Sequence, residues 1–309
     1  PGTATLGAIS AIEQACWDVA GKAFGLPVHK MLGGPTRTRV RAYASPVAWM
    51  WDRELRELPL AEAAITAVRA GYTALKLNAQ PGDFASDYPE RVVEQSVKRV
   101  PRVREAIGPD TGLALEYYGR GLHPALVAQF ARAVEHFKPM FLEEPFRTED
   151  VAGILQLKQK TTVPLAGGER CLDRANFHQL LVSRALDVVQ PEPCACGGIL
   201  ETIKRAHMAE LCQVLVAPHH AGSPLALAVC GHIDMSLSNV LIQEINIDLE
   251  SPVVKDVFPE RPAVQDGFLY VSDRPGLGVE IDESAAREYA SAPFDRQIHI
   301  SYDGSVAST

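Results

Sequence analysis

The chain has 309 residues, 47% hydrophobic and 22% charged, which is enough apolar content for a large core. A formal net charge of −8 gives nucleic acid and anionic membranes no electrostatic hold. No apolar run reaches the roughly 18–20 residues that span a bilayer, no signal-peptide pattern opens the chain, and the six cysteines lack paired CxxC zinc spacing.

In chain order, residues 7–24 carry Ile9, Ile12, Cys16, Trp17 and Ala20 at helical spacing, and Gly25 and Pro27 end that helix. After the loop at Gly33, Gly34 and Pro35, short β-branched runs alternate with longer amphipathic ones. The short runs predict strands at 39–45, 73–78, 112–117, 139–143, 163–167, 186–190, 212–217 and 239–244. Helices are expected between them near 55–70, 89–107, 123–136, 148–159, 172–183, 198–210 and 223–235. This alternation predicts an α/β fold with a parallel sheet, and eight units at this length suit a closed (β/α)₈ barrel. An open doubly wound sheet would need a GxGxxG turn after an early strand, which is missing. Beyond 250 the rhythm stops. Neither the tail, with its strand-like FLYV at 268–271, nor the first 38 residues reads as a domain alone, and the two are expected to pack as parts of a second layer.

Barrel active sites gather at the C-terminal strand ends. Polar residues stand there at 116, 143, 169, 192, 219 and 244, in steps of 23–27 residues, about one βα unit each. Six successive strands should therefore aim these side chains at one mouth. Glu116, Glu143 and Glu169 cannot sit together without raised pKa values or a cation, and oxygen-only ligands suit Mg²⁺. His219, one strand after Glu192, is a candidate base whose free nitrogen a carboxylate on the other would make more basic. Lys76, expected across the mouth, would hold a substrate carboxylate or a developing enolate. Gly197 and Gly198 open the helix after strand six. They suggest a tight turn, or an anion site on exposed N–H groups.

These residues resemble the enolase superfamily, mandelate racemase subgroup, and within it the acid-sugar dehydratases. The resembling text is AISAIEQACWDVAGKAFGLPVHKMLGG (8–34), GYTALKLN (71–78), EYYGR (116–120), FLEEP (141–145), GGER (167–170), QPEPCACGGI (190–199), APH (217–219) and LIQE (241–244). The resemblance implies a TIM-type barrel at 39–250, the closing helices of an incomplete α+β capping domain at 1–38, and a tail at 251–309 that returns to the cap. It implies one Mg²⁺ on Glu116, Glu143 and Glu169, His219 as general base with Glu192 behind it, and Glu244 on a substrate carboxylate oxygen. Lys76 would be the first lysine of the strand-two motif, with Asn78 in place of the second. Arg120, Arg170 and His220 stand beside these positions as candidate substrate contacts.

The implied reaction removes the proton α to the carboxylate of an acid sugar. Loss of the 3-hydroxyl from the enediolate then gives a 2-keto-3-deoxy acid. Three residues depart from the pattern. Glu116 and Glu192 replace the usual aspartates, and Tyr118 stands where the dehydratases carry a histidine acid. The alternatives are a cycloisomerase or epimerase using the same enolate, and an inactive enolase-like binding protein. The resemblance also implies a homo-oligomer, and the six cysteines read as reduced, mostly buried thiols of a cytoplasmic protein.

Overall fold

The computed structural model describes residues 2–47, 59–81, 88–119 and 123–289. Helix α1 (Thr3–Phe24) ends on Gly25 in the left-handed conformation, and a short α2 (Val28–Met31) follows. Strand β1 (Val40–Val47) opens the barrel. Its successors are α3 (Leu60–Arg69), β2 (Ala74–Asn78), α4 (Pro89–Ile107), β3 (Gly112–Glu116), α5 (Pro124–Val134), β4 (Leu142–Glu143) and α6 (Val151–Lys158). Then come β5 (Leu165–Gly167), α7 (Arg174–Val182), β6 (Val188–Val189), α8 (Ile199–Leu211), β7 (Leu215–Val216), α9 (Pro224–Asp234) and β8 (Gln243–Ile245). The tail adds α10 (Pro252–Val257), β9 (Ala263–Gln265), β10 (Phe268–Tyr270) and α11 (Glu283–Glu288).

Strands β1 to β7 pair in parallel with their neighbours, and β8 returns to β1 with Tyr43 opposite Glu244. A bridge between Val216 and Val240 closes the ring between β7 and β8. The eight-stranded barrel expected from the alternation is present. No helix among the described residues is long and apolar enough to cross a membrane.

Alternation along each strand builds two cores. Leu75, Leu77, Leu113, Leu115, Leu142, Leu165, Val189 and Val216 point outward against the helices. A second cluster contains Tyr43, Ala74, Ala114, Phe141, Ala166, Val188, Ala217 and Ile242, one residue from each βα unit. This apolar layer fills the barrel and forms the floor of the site. The next inward residue on each strand lies two positions later, at the mouth.

The tail fastens both to the first barrel strand and to α1. Strand β10 pairs antiparallel with β1, Val40 opposite Leu269, and the Leu277 N–H donates to Asp18 Oδ1 at 2.8 Å. A buried histidine pair sits at this seam. His232 Nε2–H donates to the Leu277 carbonyl at 3.1 Å, so its Nδ1 accepts from the His29 backbone N–H at 3.2 Å and from His29 Nδ1–H at 3.0 Å. The His232 imidazole is therefore held neutral, while His29 Nε2 faces Asp273 Oδ1 at 3.4 Å. Burial lowers the His29 pKa and takes that of His232 to about 4.

Candidate active site

Two positions above the floor stand Ser45, Lys76, Glu116, Glu143, Gln190, His219 and Glu244, the products of the period-two pattern. Glu169 follows β5 by two residues, after Gly168 turns the chain with φ +110°. Ligand oxygens of Glu116, Glu143 and Glu169 lie within 4.8 Å of one another. Glu116 Oε1 and Glu143 Oε2 are buried and accept no hydrogen bond from any described residue. Bare carboxylate oxygens converging at this depth fit a hard divalent cation.

Lys76 stands in the middle of the acids, a correction to the position expected from the sequence. Its Nζ lies 2.8 Å from Glu116 Oε2, 2.5 Å from Glu143 Oε1 and 2.8 Å from Glu244 Oε1, at 1% exposure. Burial works against its charge, but the three carboxylates outweigh burial and hold the ammonium well above the usual lysine range. Burial also raises the pKa of Glu116, with Glu143 adding to it and Lys76 opposing, and burial raises that of Glu143 in the same way. Glu244 goes the other way. Burial pushes it up, yet Lys76, His219 and the Ser45 hydroxyl (2.5 Å) bring it to about 2. Its second oxygen accepts the His220 backbone N–H at 3.1 Å.

His219 Nδ1 lies 2.6 Å from Glu192 Oε2, and Glu192 Oε1 accepts the Cys194 N–H at 2.7 Å. The structure thus brings together the two side chains that the sequence placed on successive strands. His219 Nε2 faces Glu169 Oε2 at 3.2 Å, beside the carboxylate cluster. Burial lowers the imidazole pKa, but Glu169, Glu244 and Glu192 together raise it well above its ordinary value.

The remaining expectations divide. Tyr118 follows β3 with φ +54°, a strained conformation for a residue with a Cβ, and is mostly buried. Burial, then the Glu116 charge, push its phenol above the ordinary range. Asn78 pairs in register with Glu116, and its Oδ1 accepts the Gln80 N–H at 3.2 Å. Arg170 Nε donates to Glu169 Oε1 at 3.3 Å from the exposed rim. Arg120 lies outside the described residues. His220 needs correction as a side-chain ligand. Its Nδ1 accepts the Asn246 N–H, its Nε2–H donates to the Ser223 carbonyl, and only its backbone N–H touches the site. The helix N-terminus after Gly198 is not open to an outside anion either. The Glu13 carboxylate accepts the N–H groups of Ile199 and Leu200.

Sequence reasoning missed Ser45, and it placed Glu144 and Gln190 at strand ends without giving them a role. Ser45 and Gln190 were legible as inward positions two beyond Tyr43 and Val188. Glu144 is buried, accepts from the Gly168 N–H at 2.8 Å and Thr148 Oγ1 at 3.0 Å, and is raised to about 8 by burial and by Glu169.

The family descriptions "Mandelate racemase / muconate lactonizing enzyme, N-terminal domain" and "Enolase C-terminal domain-like" match residues 2–33 and 59–285. The D-galactonate dehydratase of Verminephrobacter eiseniae is 34% identical over 315 residues, covering 99% of this chain and 80% of that one. Among solved structures, an enolase from Agrobacterium radiobacter with bound sodium and L-malate superposes with a TM-score of 0.85 at 32% identity, over 100% of this chain and 80% of that one. The 3,6-anhydro-D-galactonate cycloisomerase of Zobellia galactanivorans gives 0.81 at 31% identity, over 93% and 76%. The barrel, the ring of acids and these matches agree: this chain belongs to the mandelate racemase and muconate lactonizing enzyme family of the enolase superfamily.

Proposed function

We propose that the chain is an acid-sugar dehydratase that removes the proton α to a carboxylate and then expels the neighbouring hydroxyl as water. The observation that carries this is the His219–Glu192 pair at 2.6 Å with its second nitrogen turned toward three clustered carboxylates. Glu116, Glu143 and Glu169 would hold Mg²⁺. Bound there, the ion would neutralise charge developing on the substrate's carboxylate oxygens.

His219 Nε2 takes the α-proton, and Glu192 steadies the imidazolium through Nδ1–H. The electron pair left on carbon moves into the carboxylate to form an enediolate. Lys76 turns part of its charge from the resident acids to that oxyanion, where an ammonium in a water-poor site acts most strongly. As the substrate anion binds beside it, Glu244 would take up one proton from solvent and in that neutral form donate a hydrogen bond to a carboxylate oxygen. Collapse of the enediolate expels the β-hydroxyl, and Tyr118 supplies its proton.

A second reading is favoured by Tyr118 itself. A buried phenol pushed above its ordinary range is a weak acid, which suits an isomerase that stops short of water loss. Proton NMR in D₂O with Mg²⁺ and a library of mono- and diacid sugars separates the two. A dehydratase gives a 2-keto-3-deoxy acid, whereas an isomerase conserves mass. The wild type should exchange the α-proton, and His219→Asn should abolish exchange while Mg²⁺ still binds. Exchange retained in that variant would remove His219 from the role of base.

A further inference from the structure

The loop that carries Glu192 is gripped from outside the barrel. Ser10, Glu13, Gln14 and Trp17 lie on one face of α1, at the i, i+3, i+4 and i+7 positions. Gln14 Nε2 donates to the Pro193 carbonyl at 3.0 Å, one residue beyond Glu192. Ser10 Oγ accepts the Gly197 N–H at 2.9 Å. Glu13 Oε2 accepts the Ile199 N–H at 2.8 Å and Oε1 the Leu200 N–H at 2.9 Å. Trp17 Nε1–H donates to Glu13 Oε1 at 2.7 Å and holds that carboxylate in place. Gly197 and Gly198 both adopt positive φ, and a Cβ on Gly198 would collide with the Glu13 carboxyl. The grip therefore covers the segment from Pro193 to Leu200, which turns the chain from β6 into α8.

We infer that Glu13, with Ser10 and Gln14, is a positioning residue for the reaction: it fixes the loop that aims Glu192, and through Glu192 the base His219. The inference rests on the proposed role of His219. Only the first residues of the loop belong to the barrel, since β6 ends at Val189. Glu192 reaches His219 at 2.6 Å while its other oxygen is tied to the Cys194 N–H, beside the carbonyl that Gln14 holds. A loop released by α1 lets that carboxylate drift from the imidazole. Proton transfer is sensitive to displacements of this size. A helix cap alone would stabilise α8 without touching the dyad, so the two roles are separable.

Glu13→Gln is the test. The amide keeps the size but offers one oxygen to three N–H donors, so the Ile199 or Leu200 N–H loses its partner. The kcat for α-proton exchange should fall roughly 10- to 100-fold with KM unchanged. In a Glu192→Gln background the same substitution should cost no more than about twofold, because a residue acting through Glu192 is not additive with it. The low-field proton NMR resonance of His219 Nδ1–H, lost in Glu192→Gln, should move or broaden in Glu13→Gln. An equal kcat loss in both backgrounds, or an unmoved resonance, overturns the inference. A wild type that exchanges no acid sugar defeats the proposed function instead, and the resonance still decides this point. Ser10→Ala, which frees the Gly197 N–H and otherwise gives up only the bond to the Leu6 carbonyl within α1, gives the same readouts if Glu13→Gln fails to fold.

Discussion

Replacing Lys76 with methionine removes the only ammonium in contact with Glu116, Glu143 and Glu244 among the described residues, while keeping most of the side-chain volume. All three carboxyls are at most 1% exposed, so water cannot take over from the lost cation. Removing one partner of a buried ion pair costs about 3–5 kcal/mol, because the other charge is left uncompensated. For a chain of 309 residues that corresponds to a fall of roughly 5–8 °C in the thermal midpoint without metal. Mg²⁺ should then act differently on the two proteins. In the wild type a divalent ion must share its carboxylates with Lys76, and in Lys76→Met it supplies the charge that is missing. At a free Mg²⁺ concentration of 100 Kd the ion returns about 2.7 kcal/mol. Differential scanning fluorimetry with EDTA and with a Mg²⁺ series measures both effects. The expected result is a lower metal-free midpoint and a larger Mg²⁺-dependent rise in the variant. Equal midpoints without metal, or equal rises with it, would refute the view that Lys76 neutralises this cluster.

Tyr118→Phe removes the candidate acid without emptying its space. It should slow water loss at least tenfold more than α-proton exchange, both followed by NMR in D₂O, and equal slowing would show that the phenol does not protonate the leaving group. The histidine seam predicts a pH effect. The folded pKa of His232 is lowered from 6.5 to about 4, so its contribution to stability is fully present above 6.5 and is lost as pH falls toward 4. A shift of this size corresponds to about 3 kcal/mol. His29, lowered in the same direction, adds to it. Urea unfolding of His232→Asn should depend less steeply on pH between 6.5 and 4 than that of the wild type, and parallel curves would dismiss the seam as the cause.

Much of the barrel was legible because its signals are local. Pro89 at the first turn and Gly108 after the last bracket α4, whose expected and observed spans coincide. Most of the strands shrank instead, though β1 did not. The expected 186–190 reduces to Val188–Val189, because residues at a strand end can be apolar without being paired to a neighbour. The acids of β3, β4 and β5 could be read from their spacing. The place of Lys76 could not, since it depends on how far a long side chain reaches across the ring. His220 was open to a better reading: Ala217 and His219 both point inward, so the residue after them must point away. The grip of Glu13 on α8 had no sequence signal, because it joins segments 186 residues apart through packing alone.

The floor of small and apolar residues has a consequence for how such a protein can change. Chemistry and support alternate along the same strands, so inserting or deleting one residue inside a strand would exchange them and send charges into the wall. New substrates must therefore come from substitutions at the inward rungs or from length changes in the connections above them. The frame itself tolerates no slippage.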